Sequence, residues 1–190
     1  MLRILHLVAA PYPEHNGTTV RLFGVLSKLS HESILMIPNR TIKGDTLEPK
    51  EEVIGKIKVK MAPLSPQGIF TKSPLRYLYS LYELPKKIIF SGMSERFDII
   101  HAHDSSMFLQ PAKKLSKILN KPLIIEFHAV RMDYISNISI PGTKIGIPFS
   151  GKIISTFYEE RGIKDALKSC NHVITLTQSL KNWISDYYDI

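Results

Sequence analysis

The sequence predicts a single α/β domain with a doubly wound parallel sheet. Short apolar runs, typical of buried strands, alternate along the chain with segments of helical periodicity. Parallel neighbours need crossover helices of this kind. The length of 190 residues lies between one and two average domains and suffices to bury a full core. We therefore expect one domain over residues 1–190, with its strands in the order 3-2-1-4-5-6.

Each predicted strand is an apolar run bounded by turn residues. Pro38 ends the second run, and the polar stretch after it predicts an exposed connection to the third. The predicted strands are 2–8, 33–37, 57–61, 98–101, 123–127 and 172–177.

The helices are predicted from apolar residues at spacings of three and four. In the first helix Val20, Phe23, Leu26 and Leu29 are spaced for one face, and Pro85 should kink or divide the second. After residue 130, prolines and glycines break the alternation until residue 155 and predict an excursion over the sheet edge. The helical segments are 18–30, 73–90, 107–119, 157–169 and 178–188.

The composition is that of a globular protein with an excess of positive charge. Lys and Arg exceed Asp and Glu by 25 to 17, which gives +8 and favours anionic ligands. The basic residues form no arginine-rich tract, so we expect no nucleic-acid partner. The lone Cys170 excludes an internal disulfide and a cysteine-rich zinc site.

The chain shows no sign of export or membrane insertion. No apolar stretch reaches the roughly 20 residues that span a bilayer, and the opening run reads better as a strand than as a signal peptide. We expect a cytoplasmic protein. Tyr82, Lys86 and Lys87 belong to an aromatic and basic stretch that could lie on an anionic membrane surface, although a helix packed on the sheet explains the same pattern.

Two of the predicted strands end in titratable side chains. His101, His103 and Asp104 stand at the end of the fourth strand, and Glu126 and His128 stand at the end of the fifth. In parallel α/β sheets ligands bind beyond the carboxyl ends of the strands. We therefore interpret these two strand ends as the floor of one cleft.

The loop after the first strand is the third candidate part of the site. Gly17 would let the backbone approach a ligand, and the free N–H groups of the helix that follows would suit a phosphate. A helix-capping turn with Asn16 or Thr18 as cap explains the same residues. Arg21 could reach an anion from the first helical turn, or be solvated.

The strand-end residues also allow more than one interpretation. His101 and His103 share one face of a strand and could bind metal, but a third ligand is not visible in the sequence, so orientation of a ligand or a loop is favoured. His128 could hydrogen-bond a phosphate or hydroxyl, or be a core histidine. Glu126 could orient His128 or pair with Arg131.

Known nucleotide fingerprints are missing from the sequence. No G-x-G-x-x-G follows the first strand, and no G-x-x-x-x-G-K-[ST] occurs. A dinucleotide oxidoreductase or a P-loop enzyme is therefore not expected.

Four motifs, in order, give the chain a family resemblance. They are Ile4-Leu-His-Leu with the loop from Pro13 to Arg21, the run Phe97-Asp-Ile-Ile-His-Ala-His103, the strand from Leu123 to His128, and Cys170-Asn-His-Val-Ile-Thr-Leu-Thr-Gln-Ser179. Together they resemble the N-terminal domain of GT-B glycosyltransferases, in particular the retaining group-four family. The usual Gly-Gly pair of the first loop is here Asn16-Gly17.

The resemblance implies a Rossmann-like N-terminal half of a GT-B fold, with a function in sugar transfer. A nucleotide-sugar and a glycan, lipid or small-molecule acceptor would be the substrates, without a cofactor or divalent metal. His128 would be the catalytic residue near the transferred sugar, and Gly17 would contact the donor diphosphate. The remaining residues expected to bind the diphosphate or the acceptor are Asn16, Thr18, Arg21, His103, Glu126 and Arg131.

The resemblance also implies a second domain. In this family a C-terminal Rossmann domain carries most of the nucleotide-sugar pocket, and no second set of α/β elements is present in these 190 residues. We expect this polypeptide alone to be inactive. The alternative is a non-catalytic α/β binding module or partner subunit.

Overall fold

The computed structural model describes residues 1–9, 17–39, 47–64, 82–92, 95–103, 106–128 and 160–190. The strands in chain order are β1 (Arg3–Val8), β2 (Glu32–Pro38), β3 (Lys50–Ile54), β4 (Ile57–Ala62), β5 (Ile99–His103), β6 (Leu123–Phe127) and β7 (His172–Thr175). The helices are α1 (Gly17–Leu26), α2 (Leu84–Gly92), α3 (Ser106–Leu119), α4 (helical residues 160–167) and α5 (Gln178–Tyr188).

The strands form a seven-stranded sheet in the order β3-β4-β2-β1-β5-β6-β7. All neighbours are parallel except β3 and β4, which are antiparallel. Without β3 this order is the predicted 3-2-1-4-5-6. The doubly wound α/β fold is therefore confirmed.

The sequence predicted only an exposed connection between β2 and β4, but this connection contains the edge strand β3. Its residues Lys50–Ile54 are mostly exposed, with Val53 71% and Ile54 44% exposed, so no buried apolar run marks it in the sequence. It pairs with β4 through a two-residue turn at Gly55 and Lys56. Gly55 has a φ of +60°, the conformation that a type II′ hairpin turn needs at its first central position.

The core lies on both faces of the sheet because side chains alternate along each strand. On one face, β1, β2, β5 and β6 pack under α2 to α5, and on the other, β1, β2 and β4 pack under α1. The first face buries Leu5, Leu7, Ile34, Met36, Ile100, Ala102, Leu123 and Ile125, and the second buries Val8, Leu35, Ile37, Ile57, Val59 and Met61.

Helix α1 is shorter than predicted and keeps only part of the predicted face, since Leu26 is buried and Phe23 packs against the core. It ends at Leu26, and its buried side chains are Leu22 and Leu26, four positions apart. Val20 is 57% exposed, and Leu29, beyond the end of the helix, is 37% exposed. The predicted face included Leu29 because the helix was expected to continue to residue 30, whereas Leu29 lies in the turn after the helix.

The remaining helices agree with the predictions where they can be compared. In α2 Pro85 is the second residue, and two π-helical residues, 82 and 83, directly precede the helix. α5 spans the predicted 178–188, with Thr177 as N-cap accepting from the Leu180 N–H. The expected helical residues 73–81 and the excursion at 130–155 lie outside the described residues. In the part of the chain that the structure describes, no helix has both the length and the apolar character needed to cross a membrane.

Candidate active site

A cavity of about 110 Å³ lies between α1 and the sheet, and one of its walls is formed largely by histidine. The opposite wall is aliphatic and comes from α1 and the turn after it, through Leu22, Val25, Leu26 and Leu29. Arg21 also lines it. The polar residues of the strand side are His6, His31, His101, His103, Glu126 and His128.

The parallel register of three central strands assembles the polar wall. His6 of β1 lies opposite His101 of β5, and His103 lies opposite Glu126 of β6. Residues two apart on a strand share a face, so His101 joins His103 and Glu126 joins His128. The rings of His101 and His103 have centroids 4.0 Å apart. The wall therefore follows from strand pairing between segments far apart in sequence.

The Glu126 carboxylate is the centre of this wall. One oxygen, Oε2, lies 3.2 Å from His101 Nε2 and 3.2 Å from His103 Nδ1, and the other, Oε1, lies 3.2 Å from His128 Nε2. At these distances the three nitrogens contact the carboxylate without the alignment of a full hydrogen bond. Three imidazoles thus surround one carboxylate.

Arg21 supplies the cation of the site. Its guanidinium donates to Glu126 Oε1, while its side chain keeps 39% of its surface exposed and that of Glu126 only 9%. The contact fixes the first turns of α1 to the end of β6. Arg21 therefore pairs with the carboxylate for which the sequence suggested Arg131, and Arg131 itself lies outside the described ranges.

The most deeply buried polar contact joins two imidazoles. Nδ1 of His6 lies 3.0 Å from Nε2 of His103. Burial, with the neighbouring imidazoles, holds the pKa of His6 well below its ordinary value. Burial also lowers the pKa of His103, to about 4, although Glu126 acts in the opposite direction. Both rings are therefore neutral at pH 7.

Glu126 has the opposite charge state. Burial alone would raise its pKa, but the surrounding imidazoles of His101, His103 and His128 outweigh that effect and hold it well below the ordinary range. The carboxylate is therefore ionised at neutral pH. The arrangement offers one anion, one cation and several neutral imidazoles, which suits the binding of a polyhydroxylated, phosphate-bearing ligand by hydrogen bonds.

The structure brings together four of the residues predicted for the site. Arg21, His103, Glu126 and His128 line the same cavity, and the ring centroids of His103 and His128 are 5.9 Å apart. Gly17 begins α1, one turn before Arg21. Asn16 and the side chain of Thr18, like Arg131, lie outside what the structure describes.

Sequence reasoning did not select His6 and His31. His6 interrupts the apolar run Ile4-Leu5-His6-Leu7-Val8, and an imidazole inside a buried strand is itself a signal. His31 precedes β2, and its ring stacks on that of His6 with a centroid distance of 6.4 Å. Nothing in its local sequence distinguishes it, since it joins the site only through the pairing of β1 with β2.

Several solved structures share the fold of this chain. An alpha,alpha-trehalose-phosphate synthase (UDP-forming) from Burkholderia xenovorans, in complex with glucose-6-phosphate, matches 98% of this chain with a TM-score of 0.59 and 15% identity. UGT2 from Phytolacca americana matches 98% with a TM-score of 0.57 and 10% identity, and an E. coli structure bound with UDP-2-fluoro glucose matches 95% with 0.56 and 16%. At these identities the likeness establishes the fold.

The chain spans less than half the length of these structures: 42%, 49% and 41% of them respectively. This agrees with the N-terminal GT-B domain that the sequence motifs resemble. No curated protein sequence matches the chain.

The family assignment comes from the sequence profile. Residues 18–190 match the family described as Glycosyltransferase Family 4. This range contains α1 and the strand-end residues of β5 and β6, and so most of the cavity wall. The chain belongs to glycosyltransferase family 4.

Proposed function

We propose that the chain is the acceptor-side domain of a retaining glycosyltransferase that moves a sugar from a nucleotide-sugar to a glycan, lipid or small-molecule acceptor. The observation that carries the proposal is the Arg21–Glu126 contact, which joins the beginning of α1 to the end of β6. Arg21, one turn after the beginning of α1, and His128 thereby line one cavity in a chain of this family.

The beginning of α1 is suited to the donor diphosphate. Its first turn, from Gly17, contains no acidic residue that would repel an anion. The unpaired N–H groups of a helix N-terminus bind phosphate oxygens, and Arg21 adds positive charge one turn further on. These groups would stabilise the departing diphosphate without a divalent metal.

His128 is placed to contact the transferred sugar or the acceptor. Its side chain keeps 15% of its surface exposed, more than that of His103, and Nε2 points to Glu126. A carboxylate can only accept, so an Nε2–H directed at Glu126 leaves Nδ1 as an acceptor for a sugar hydroxyl. When the diphosphate departs and the acceptor attacks on the same face of the sugar, the reaction needs no glycosidase-like pair of carboxylates.

Most donor contacts would come from a second domain not contained in these 190 residues. The fraction of the related structures that this chain covers, 41% to 49%, supports that division. Closure of two domains would exclude water from the reacting sugar. We therefore expect residues 1–190 alone to show no measurable transfer.

The test is transfer by the full-length protein. Purified enzyme is supplied with a panel of nucleotide-sugars, and release of the nucleoside diphosphate is measured with and without candidate acceptors. His128→Ala should slow transfer about a hundredfold or more, because an electrostatic or acid–base contact to the reacting groups is lost. The melting temperature should change little.

The matched control is His172→Ala, since His172 is an exposed histidine on the edge strand β7. It should transfer at the unmodified rate. An unchanged rate with a lowered melting temperature in His128→Ala would assign His128 to the core. Robust transfer by residues 1–190 without a partner would contradict the division of the site between two domains.

Peripheral membrane contact would involve the outer face of α2. Tyr82 and Phe90 are 59% and 84% exposed, and Lys86 is exposed between them, whereas Leu84 and Ile88 are buried against the core. Aromatic and basic side chains on one helical face suit an anionic bilayer surface. Lys86→Glu combined with Phe90→Ser should weaken sedimentation with phosphatidylglycerol vesicles. Equal sedimentation of the two proteins would exclude this surface.

A further inference from the structure

We propose that His6, His101 and His103, in the wall of the same cavity, form a binding site for a zinc-class divalent ion. Each residue offers one imidazole nitrogen, and the three nitrogens lie within 4.8 Å of one another. The donor atoms of a tetrahedral zinc ion, with Zn–N bonds of about 2.0–2.1 Å, lie roughly 3.3 Å apart. Small ring movements therefore suffice to close the site.

The rigid part of the site is the β1–β5 pair. His6 and His101 are register partners in neighbouring strands, and His103 lies on the same face two residues further along β5. Nδ1 of His6 and Nε2 of His103 are already 3.0 Å apart, close to the separation of two ligands on one ion. An ion would replace the proton that now lies between these two nitrogens.

An outer partner fixes the orientation of His103. The nitrogen that does not face His6, Nδ1, lies 3.2 Å from Glu126 Oε2. A carboxylate accepts only, so it favours a proton on Nδ1 and leaves the lone pair of Nε2 directed towards His6. Carboxylate–histidine–metal arrangements of this form hold histidine ligands in place in many metal sites.

A second triad, His103, Glu126 and His128, has the same spacing of candidate ligand atoms but fits an ion less well. Glu126 already accepts from the Arg21 guanidinium. A divalent ion bound to this carboxylate would have to displace that cation or lie against it. The all-histidine triad contains no carboxylate that already pairs with a cation.

The ligand set selects the class of ion. Three imidazoles suit zinc, copper, nickel and cobalt, whereas magnesium and calcium prefer oxygen ligands. The fourth position would face the cavity that all three histidines line and could hold a water molecule. The sequence alone placed His101 and His103 together but left the third ligand open. His6 supplies it, which revises the expectation of no metal site while transfer itself stays metal-independent.

The test uses tag-free full-length protein, freed of metal with a chelator. Co²⁺ is titrated in and its visible absorption recorded, because tetrahedral cobalt absorbs strongly and reports coordination without any activity assay. Zn²⁺ is then added in competition. The expected result is one tetrahedral Co²⁺ per chain, displaced by one Zn²⁺.

Variants identify the ligands. His6→Gln and His101→Gln should each lower the affinity more than about a hundredfold, and Glu126→Gln about 10–100-fold as an outer partner. His31→Gln is the matched control, since His31 lines the same cavity outside the triad, and it should bind as the unmodified protein does. Circular dichroism checks that each variant is folded, and His101→Gln, at a partly exposed position, decides the matter if His6→Gln does not fold.

The proposal is overturned by absence of stoichiometric cobalt or zinc binding to the folded protein. It is equally overturned if binding survives in folded His101→Gln but is lost in His128→Gln, which would assign the ion to the second triad. Neither result depends on whether the protein transfers sugar.

Discussion

Nδ1 of His6 and Nε2 of His103 lie 3.0 Å apart across the parallel pair β1–β5. His6 pairs in register with His101, so this contact is diagonal and reaches the residue two positions further along β5. Both side chains are almost fully buried, at 2% and 3% exposure. The wall of the cavity therefore contains a polar contact between two almost fully buried side chains of neighbouring strands.

Removal of the His6 imidazole should destabilise the fold. His6→Ala leaves a cavity and a buried, unpaired Nε2 on His103, and together these should lower the free energy of unfolding by about 2–4 kcal/mol. Urea denaturation with a chelator present measures this without a contribution from bound metal. His31→Ala, at a half-buried neighbouring ring, should cost less than about 1 kcal/mol. Equal losses in the two variants would contradict the role of the His6–His103 contact.

Stability should fall in mild acid because of His103. Its pKa is about 4 in the folded state and about 6.5 in the unfolded state, so between these values the unfolded chain takes up a proton that the folded chain does not. Stability is therefore present above pH 6.5 and is lost as the pH falls towards 4, by up to about 3 kcal/mol from this group. Glu126, whose folded-state pKa is also depressed, adds a further loss below about pH 4.5.

The pH effect can be assigned to His103 by comparing variants. The free energy of unfolding is measured between pH 7.5 and 4.5 for the unmodified protein and for His103→Gln. The variant should be less stable at pH 7.5 but show a shallower slope below pH 6.5. His172→Gln, on the exposed edge strand, should keep the unmodified slope. Parallel curves for all three proteins would contradict the assignment.

The sequence predicted the six strands that pair in parallel, and their order, because each is an apolar run bounded by turn residues. It did not predict β3, since residues such as Val53 are exposed and the strand exists only through pairing with β4. The predicted end of α1 was also wrong, since the helix ends at Leu26, and Val20 of the predicted face is exposed although Phe23 and Leu26 contact the core. The end of a helix and the pairing of a strand at the sheet edge depend on tertiary contacts, which the local periodicity of a sequence does not contain.

The site was predictable only in part for the same reason. His103, Glu126 and His128 stand at strand ends, where the carboxyl edge of a parallel sheet places ligands. His6 stands inside a strand and resembles a core residue until the register with β5, more than ninety positions away, is known. Arg21 was foreseen as a cation at the beginning of α1, but its pairing with Glu126 was not, since Glu126 was expected to orient His128 or pair with Arg131.

The hairpin turn at Gly55 should resist substitution. Gly55 has a φ of +60°, which a residue with a Cβ adopts at a cost, although nothing lies within 4 Å of an added Cβ. Gly55→Ala should therefore destabilise by about 1 kcal/mol through backbone strain alone. Gly24 in α1 also has open space around it and an ordinary helical φ, so Gly24→Ala should stabilise by about 0.5–1 kcal/mol. Thermal denaturation of the two variants should give shifts of opposite sign.

The Arg21–Glu126 pair should show measurable coupling because one partner is buried. Arg21→Ala leaves an ionised carboxylate with 9% side-chain exposure and no cation, and should cost about 1–3 kcal/mol. Glu126→Gln leaves a half-exposed guanidinium that water can solvate, so it should cost less. A double-mutant cycle should give a coupling energy of about 1 kcal/mol or more. The same cycle on the exposed α2 pair Glu83–Lys86 should give about 0.5 kcal/mol or less. If the two cycles give equal values, burial of Glu126 does not strengthen its pairing, and Arg21 is an ordinary surface residue.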